Sequence, residues 1–222
     1  MKLLLFCLVF VLQGVSGFTQ NNTDALWNYH TGRDFESRGR MSEADVYYNE
    51  AIRLAIEDIS RSAASRDSYA ALTWALQRQR KFSDVIIWGE RGLRLYTDEY
   101  RIVETMGEAY FYLEDYDRSM RFMQRYTNAV PQGERTGVAY FFIGEIFRMR
   151  RQFLHADIAY STAVRLEPGN SLWWYRLGIV REAAGDLSYA NAAYERTLRL
   201  NPNYREAREA LTRSQRWTGE NE

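Results

Sequence analysis

Apolar side chains in this chain recur at spacings of three and four, which marks one buried face on an α-helix, and the helical stretches come in pairs. Tyr140, Ile143, Gly144 and Phe147 mark one stretch; Ala156, Tyr160 and Ala163 mark the next, and Pro168 closes it. The same order returns at Trp174, Leu177, Gly178, Arg181, Ala190, Tyr194, Thr197 and Pro202. Trp174 follows Tyr140 by 34 residues, and Pro202 follows Pro168 by the same interval. A fixed period of this length is the mark of stacked units, each a helix pair that buries its apolar face on the next.

The pattern predicts five units. The last two are 137–170 and 171–204. Gly107, with Val103, Met106, Tyr110, Ser119, Met123 and Pro131 at matching positions, defines 100–133, and Glu134 to Thr136 form a three-residue insertion after it. Unit 66–99 is degenerate: Thr73 stands where glycine is expected and Gly89 where an aromatic is expected. Unit 25–58 recovers the pattern through Gly32, Phe35, Ala44, Tyr48 and Ala51. Its second helix is expected to run long, because apolar spacing continues unbroken from Ile52 to Ile59, with 59–65 as extension and loop. Residues 205–217 carry Ala207, Ala210 and Leu211 on one side and dense Arg and Glu elsewhere, as a helix covering the last apolar face requires. Residues 18–24 and 218–222 read as tails.

Gly107, Gly144 and Gly178 fall inside predicted helices, where glycine costs about 1 kcal/mol relative to alanine. A cost repeated at fixed spacing implies a steric need. The expectation is that the first helix of each unit approaches the second closely there, with Ala156 and Ala190 facing it and Tyr160 and Tyr194 filling the space beside it. Pro168 and Pro202 stop the second helix, and Asn170, Asn201 and Asp98 suit the junctions. This order of residues at this period resembles the tetratricopeptide repeat (TPR). The resemblance implies an all-α, right-handed superhelical solenoid with a capping helix, and a function of binding another protein or peptide in a concave groove.

By that resemblance the first helices line the groove. Mapping its groove positions gives Tyr29, Arg33, Trp74, Arg78, Glu104, Glu108, Phe111, Tyr112, Phe141, Glu145, Arg148 and Tyr175 as partner-binding candidates. Aromatics interleaved with arginine are the residue types that dominate protein-binding hot spots. The subfamily that grips a terminal carboxylate uses lysines and asparagines. The mapped positions carry no lysine, and Asn28 is the only asparagine in the mapped first helices, so a chaperone-tail receptor of that type is not expected.

The ends and the charge refine the picture. Lys2, the apolar run Leu3 to Leu12 and the small residues Val15-Ser16-Gly17 read as a secretory signal, residues 1–17, cut before Phe18. The run is too short to cross about 30 Å of hydrocarbon, so no stable membrane span is expected after its removal. Cys7, the single cysteine, lies inside the run rather than after it, so no lipid anchor is expected; losing 17 of 222 residues leaves 205 without a disulfide. A bacterial periplasm fits such a chain. Asn21-Asn22-Thr23 is a formal glycosylation sequon that matters only in a eukaryote. Basic and acidic residues balance at 29 each, which argues against a nucleic-acid partner. Lysine occurs only at Lys2 and Lys81, so 27 of the 29 basic residues are arginine, and many Arg–Glu and Arg–Tyr contacts are expected beside any composition bias.

Catalytic chemistry finds no support. His30 and His155 sit in separate units, and the chain lacks a metalloprotease motif, a cysteine pair and a phosphate loop. The reading is a non-enzymatic adaptor of the bacterial cell envelope that needs no cofactor or metal. The alternatives are an obligate subunit of an envelope assembly or transport complex, self-associating through a helix face that includes Trp173, Trp174 and Trp217, or a binder of a small apolar ligand.

Overall fold

The computed structural model describes residues 24–219. The signal-like segment 1–17 lies outside them. The described residues form eleven helices: α1 Ala25–Ser37, α2 Met41–Ser60, α3 Arg66–Arg78, α4 Phe82–Leu95, α5 Tyr100–Tyr112, α6 Tyr116–Ala129, α7 Thr136–Met149, α8 Phe153–Leu166, α9 Ser171–Ala184, α10 Leu187–Leu200 and α11 Arg205–Gly219. None is long and apolar enough to cross a membrane. Each helix packs on its chain neighbours. The odd-numbered helices α1, α3, α5 and α7 also touch one another in series, so they form the inner, concave side of a superhelical solenoid and the even-numbered helices form its outside.

One turn closes every pair. Gly39, Arg80, Glu114, Arg151 and Gly185 stand at the same position after α1, α3, α5, α7 and α9, and all have positive φ, from 58° to 89°. The next amide in each case donates back five residues to the helix: Arg40 to Phe35, Lys81 to Leu76, Asp115 to Tyr110, Gln152 to Phe147 and Asp186 to Arg181, at 2.9–3.0 Å. This is the Schellman closure, which satisfies a terminal carbonyl and favours glycine at the left-handed residue. Arg80, Glu114 and Arg151 adopt it against their sterics, a cost of about 1 kcal/mol each. Glu114→Gly is therefore expected to raise stability by about 0.5 kcal/mol, net of glycine's greater chain entropy, as read by urea denaturation.

Gly32, Gly144 and Gly178 face tyrosine rings rather than alanines, and Gly107 faces the Met123 side chain. A Cβ at position 144 would meet Tyr160 Cδ1 and Cε1 at 2.7 Å, and one at position 32 would meet Tyr48 Cε1 at 2.6 Å. Tyr48, Tyr160 and Tyr194 are thus the keys of their units, each buried on the bare backbone of the partner helix. In the degenerate unit the sizes change places. Thr73 is buried at the glycine position and turns its hydroxyl back to the Tyr69 carbonyl at 2.9 Å. Gly89 replaces the tyrosine, and Met106 of the next unit fills the space, with its sulfur 2.6 Å from where a Cβ would stand. α2 extends to Ser60. Ser65 and Ser68 cap α3 reciprocally, Asp115 caps α6 and Asn170 caps α9. Asp98 caps nothing; it pairs with Arg66 at 2.7 Å, and Glu99 takes the N-cap of α5.

At the far end α11 lays Ala207, Ala210 and Ser214 against the stack and turns Arg205, Glu206, Arg208 and Glu209 outward. Among the described side chains that outward face is polar, as a helix covering the end of a stack requires.

Candidate functional site

The concave side opens, at its N-terminal half, into a cavity of about 390 Å³ between α1, α3, α5 and the α6–α7 turn. Tyr29, Arg33, Trp74, Arg78 and Glu104 line it, together with His30, Gln77, Arg101, Tyr126, Glu134 and Arg135. Tyr29 and Trp74 lie with ring centroids 5.0 Å apart, and the Arg101 guanidinium lies 5.6 Å from the Trp74 ring. Arg33 is the least committed cation: it donates to the Tyr29 hydroxyl at 3.2 Å and stands 3.8 Å from Glu36.

The floor is built from acids buried behind the rim. Glu104 and Glu108, one turn apart on α5, are both buried. Arg135 donates to both carboxylates, and Gln77 donates to Glu108. Burial pushes the Glu104 carboxyl well above its usual value and the nearby Glu108 charge adds to that; Arg135 pulls it back. These two glutamates are therefore spoken for, and they hold the rim rather than present charge to a partner.

The same construction recurs along the groove. In three units the tyrosine that sits on the glycine aims its hydroxyl at a groove glutamate: Tyr48 donates to Glu36 at 2.5 Å, Tyr160 to Glu145 and Tyr194 to Glu182 at 2.5 Å. An arginine from the following element completes each site: Arg78 on Glu36, Arg176 on Glu145 at 3.1 Å and Arg213 on Glu182 at 2.9 Å. Burial raises the Glu36 and Glu182 carboxyls, but the bonds from Arg78 with Tyr48, and from Arg213 with Tyr194, outweigh it and hold both below the usual value. Burial together with the neighbouring carboxylate drives the hydroxyls of Tyr48, Tyr160 and Tyr194 upward, so they stay protonated donors.

The twelve residues mapped from sequence do not form one site. Five line the cavity. Glu108 lies beneath it. Phe111 and Tyr112 pack on Phe142 at 5.0 and 6.0 Å, and Tyr112 stacks on Phe82 at 4.7 Å. Phe141 stacks on Trp173 at 5.4 Å. These three are half-committed to joining units. Glu145 is buried under Arg148 and Arg176, and Tyr175 closes the C-terminal end against Tyr194 and Tyr204. Trp173, a candidate for a self-association face, is core at 5 % exposure. Trp174 donates its indole to the Pro168 carbonyl at 3.0 Å, and the Trp217 side chain lies outside the described ones. Arg135 and Arg101 were missed as site residues. The insertion 134–136 was a signal for the first, since an extra loop residue next to a groove has little packing reason to be arginine.

No protein-family model and no curated protein matches the chain. Solved structures do. One is the first TPR of Spaghetti (RPAP3) bound to HSP90 peptide SRMEEVD, at 24% identity over 54% of this chain and 93% of that one, with a TM-score of 0.50. MamA aligns at 18% identity over 67% of this chain and 85% of its own, with a TM-score of 0.61. The fold is that of a tetratricopeptide-repeat protein. YrrB, described as a TPR protein with an unusual peptide-binding site, aligns over 87% of this chain and 94% of its own, at 18% identity and a TM-score of 0.56. In TPR terms, the cavity lies on the concave face formed by the first helices of the first three units.

Proposed function

We propose that this chain is a non-enzymatic adaptor of the bacterial cell envelope that holds a segment of another protein in its concave groove, anchored at the cavity between α1, α3 and α5. The observation that carries this reading is the cavity's rim: the Tyr29–Trp74 pair beside the weakly engaged Arg33. An aromatic surface next to a guanidinium suits an extended segment with a carboxylate side chain and an apolar neighbour. A charged lining favours such a segment over a small apolar ligand. TPR structures solved with a peptide, or described by a peptide-binding site, support the mode of binding. The envelope assignment rests on the signal-like residues 1–17 and the cysteine-free remainder.

Crosslinking in native envelope extract followed by mass spectrometry tests it. One dominant protein is expected, and Arg33→Glu should weaken its binding by about thirtyfold, the scale of a hot-spot residue. Self-crosslinks alone, or capture indifferent to Arg33→Glu, would overturn the groove reading.

A further inference from the structure

The arginines of this protein fall into two populations. Those of the groove are neutralised from within: Arg78, Arg135, Arg148 and Arg176 each meet a carboxylate. On the outer helices α4, α6 and α8 only Arg118, held by Asp115 at 3.3 Å, is paired among the described arginines. Among the described residues, Arg91, Arg94, Arg121, Arg125 and Arg165 form no ion pair, although all five are exposed. Arg91 lies over the Trp88 ring at 5.3 Å and Arg125 donates to the Thr97 carbonyl; both contacts leave the positive charge uncancelled. The exposed acids on the same helices are Asp84, Glu90 and Asp117, and Asp117 is already held by Arg150 at 2.6 Å. A chain with no net charge therefore carries a basic band across the middle of its convex side.

Aliphatic side chains stand in that band. Ile87 on α4 is 62% exposed, and on α8 Leu154 and Ile158 are 68% and 67% exposed. Ile87, Arg121 and Ile158 occupy the same position on three successive outer helices: Arg121 follows Ile87 by 34 residues, and Ile158 follows Arg121 by 37 because of the three-residue insertion. The row thus reads apolar, basic, apolar across the solenoid. Packing explains none of these three, since each points away from its own core.

We propose that the convex face of α4, α6 and α8 docks on an anionic lipid surface, with the arginines at the headgroups and Ile87, Leu154 and Ile158 dipping into the interface. Two features favour a membrane over an acidic protein. The exposed apolar groups are aliphatic and few, Leu154 and Ile158 one turn apart on α8 and Ile87 away on α4, whereas protein hot spots draw on aromatics clustered in a pocket. The charge is spread over three helices, and no one hollow gathers it: Arg91 and Arg94 line one beside α4, while Leu154 and Ile158 line two others on α8. A diffuse negative surface needs no matching shape, and each arginine near it adds independently. Shallow insertion of a few aliphatic groups among basic residues is how surface-bound elements without a span hold to bilayers.

Co-sedimentation of the purified protein with phosphatidylcholine vesicles, with and without about 30% phosphatidylglycerol, tests the proposal. Binding is expected only with the anionic lipid and should fall steeply as salt rises from about 0.1 to 0.5 M. Arg121→Gln with Arg125→Gln should weaken it by about thirtyfold, since each arginine contributes about fivefold. Leu154→Ser with Ile158→Ser should weaken it while leaving the salt dependence intact. All four side chains are exposed, so melting temperatures should hold. Arg33→Glu should leave vesicle binding unchanged, which separates this surface from the groove. Equal binding to neutral vesicles, indifference to the two arginine changes, or capture of an acidic protein through this face without vesicle binding would overturn it.

Discussion

Arg135→Ala is expected to cost about 3 kcal/mol of stability at neutral pH, and much less in acid. Glu104 and Glu108 are one turn apart on α5, 2% and 6% exposed, and Arg135 is the cation that both carboxylates share. Breaking a buried ion pair from one side costs about 3–5 kcal/mol, because the charge left behind has neither water nor a partner. The low end applies because the Arg135 side chain is 44% exposed and water screens its outer half. Burial, then the Glu108 charge, already pushes Glu104 above its usual 4.5, so the folded chain holds that proton more tightly than the unfolded chain does. Stability from this group is present at low pH and falls as pH rises through the window above about 4.5. Removing Arg135 removes the influence that lowers Glu104, which widens the window and deepens the loss. Urea denaturation at about pH 7 and pH 5 should show the deficit shrinking in acid. Glu104→Gln added to Arg135→Ala should recover stability at pH 7. A deficit of equal size at both pH values would mean that Arg135 acts through packing alone.

This cluster also marks the limit of what the sequence discloses. The helix pairs were legible through local rules: apolar spacing within every helix, glycine opposite a large side chain in four units, and a proline after the second helix in the last three. The left-handed turns at Arg80, Glu114 and Arg151 were not, because nothing about arginine or glutamate announces a positive φ; only the register shared with Gly39 and Gly185 reveals it. Mapping groove positions found the right helix faces but not which acids remain free. Glu104 and Glu145 are mapped groove charges, and Glu36 and Glu182 lie on first helices of their units as well. Each is consumed by a partner 12 to 42 residues away, on another helix or in a turn. Arg135 belongs to no repeat position, so periodicity could not place it. The convex row was visible in register, as Ile87, Arg121 and Ile158, but its meaning depends on which arginines go unpaired, and that is a property of the fold.

Gly144→Val is expected to lose about 3 kcal/mol, although valine lowers the helix cost of glycine. The propensity gain is a few tenths of a kcal/mol, while the new Cβ would meet the Tyr160 ring at 2.7 Å. A ring at the far end of a flexible side chain would yield cheaply. This one has no room: Tyr160 is fully buried, and its hydroxyl is fixed on Glu145, which Arg148 and Arg176 hold in turn. The helices must part or the ring must leave its rotamer, and overpacking of this kind costs about 1–3 kcal/mol for smaller additions. Gly169→Ala is the control, because a Cβ there meets nothing within 4 Å; it should be neutral or slightly stabilising. Thermal denaturation of both variants gives the comparison. Tyr160→Leu combined with Gly144→Val should cost less than the sum of the two single changes, since the smaller side chain relieves the clash. The degenerate unit has already taken a related route, with Thr73 in place of glycine, Gly89 in place of the ring and Met106 packed on Gly89. Strict additivity of the pair would show that the glycine serves something other than the tyrosine it faces.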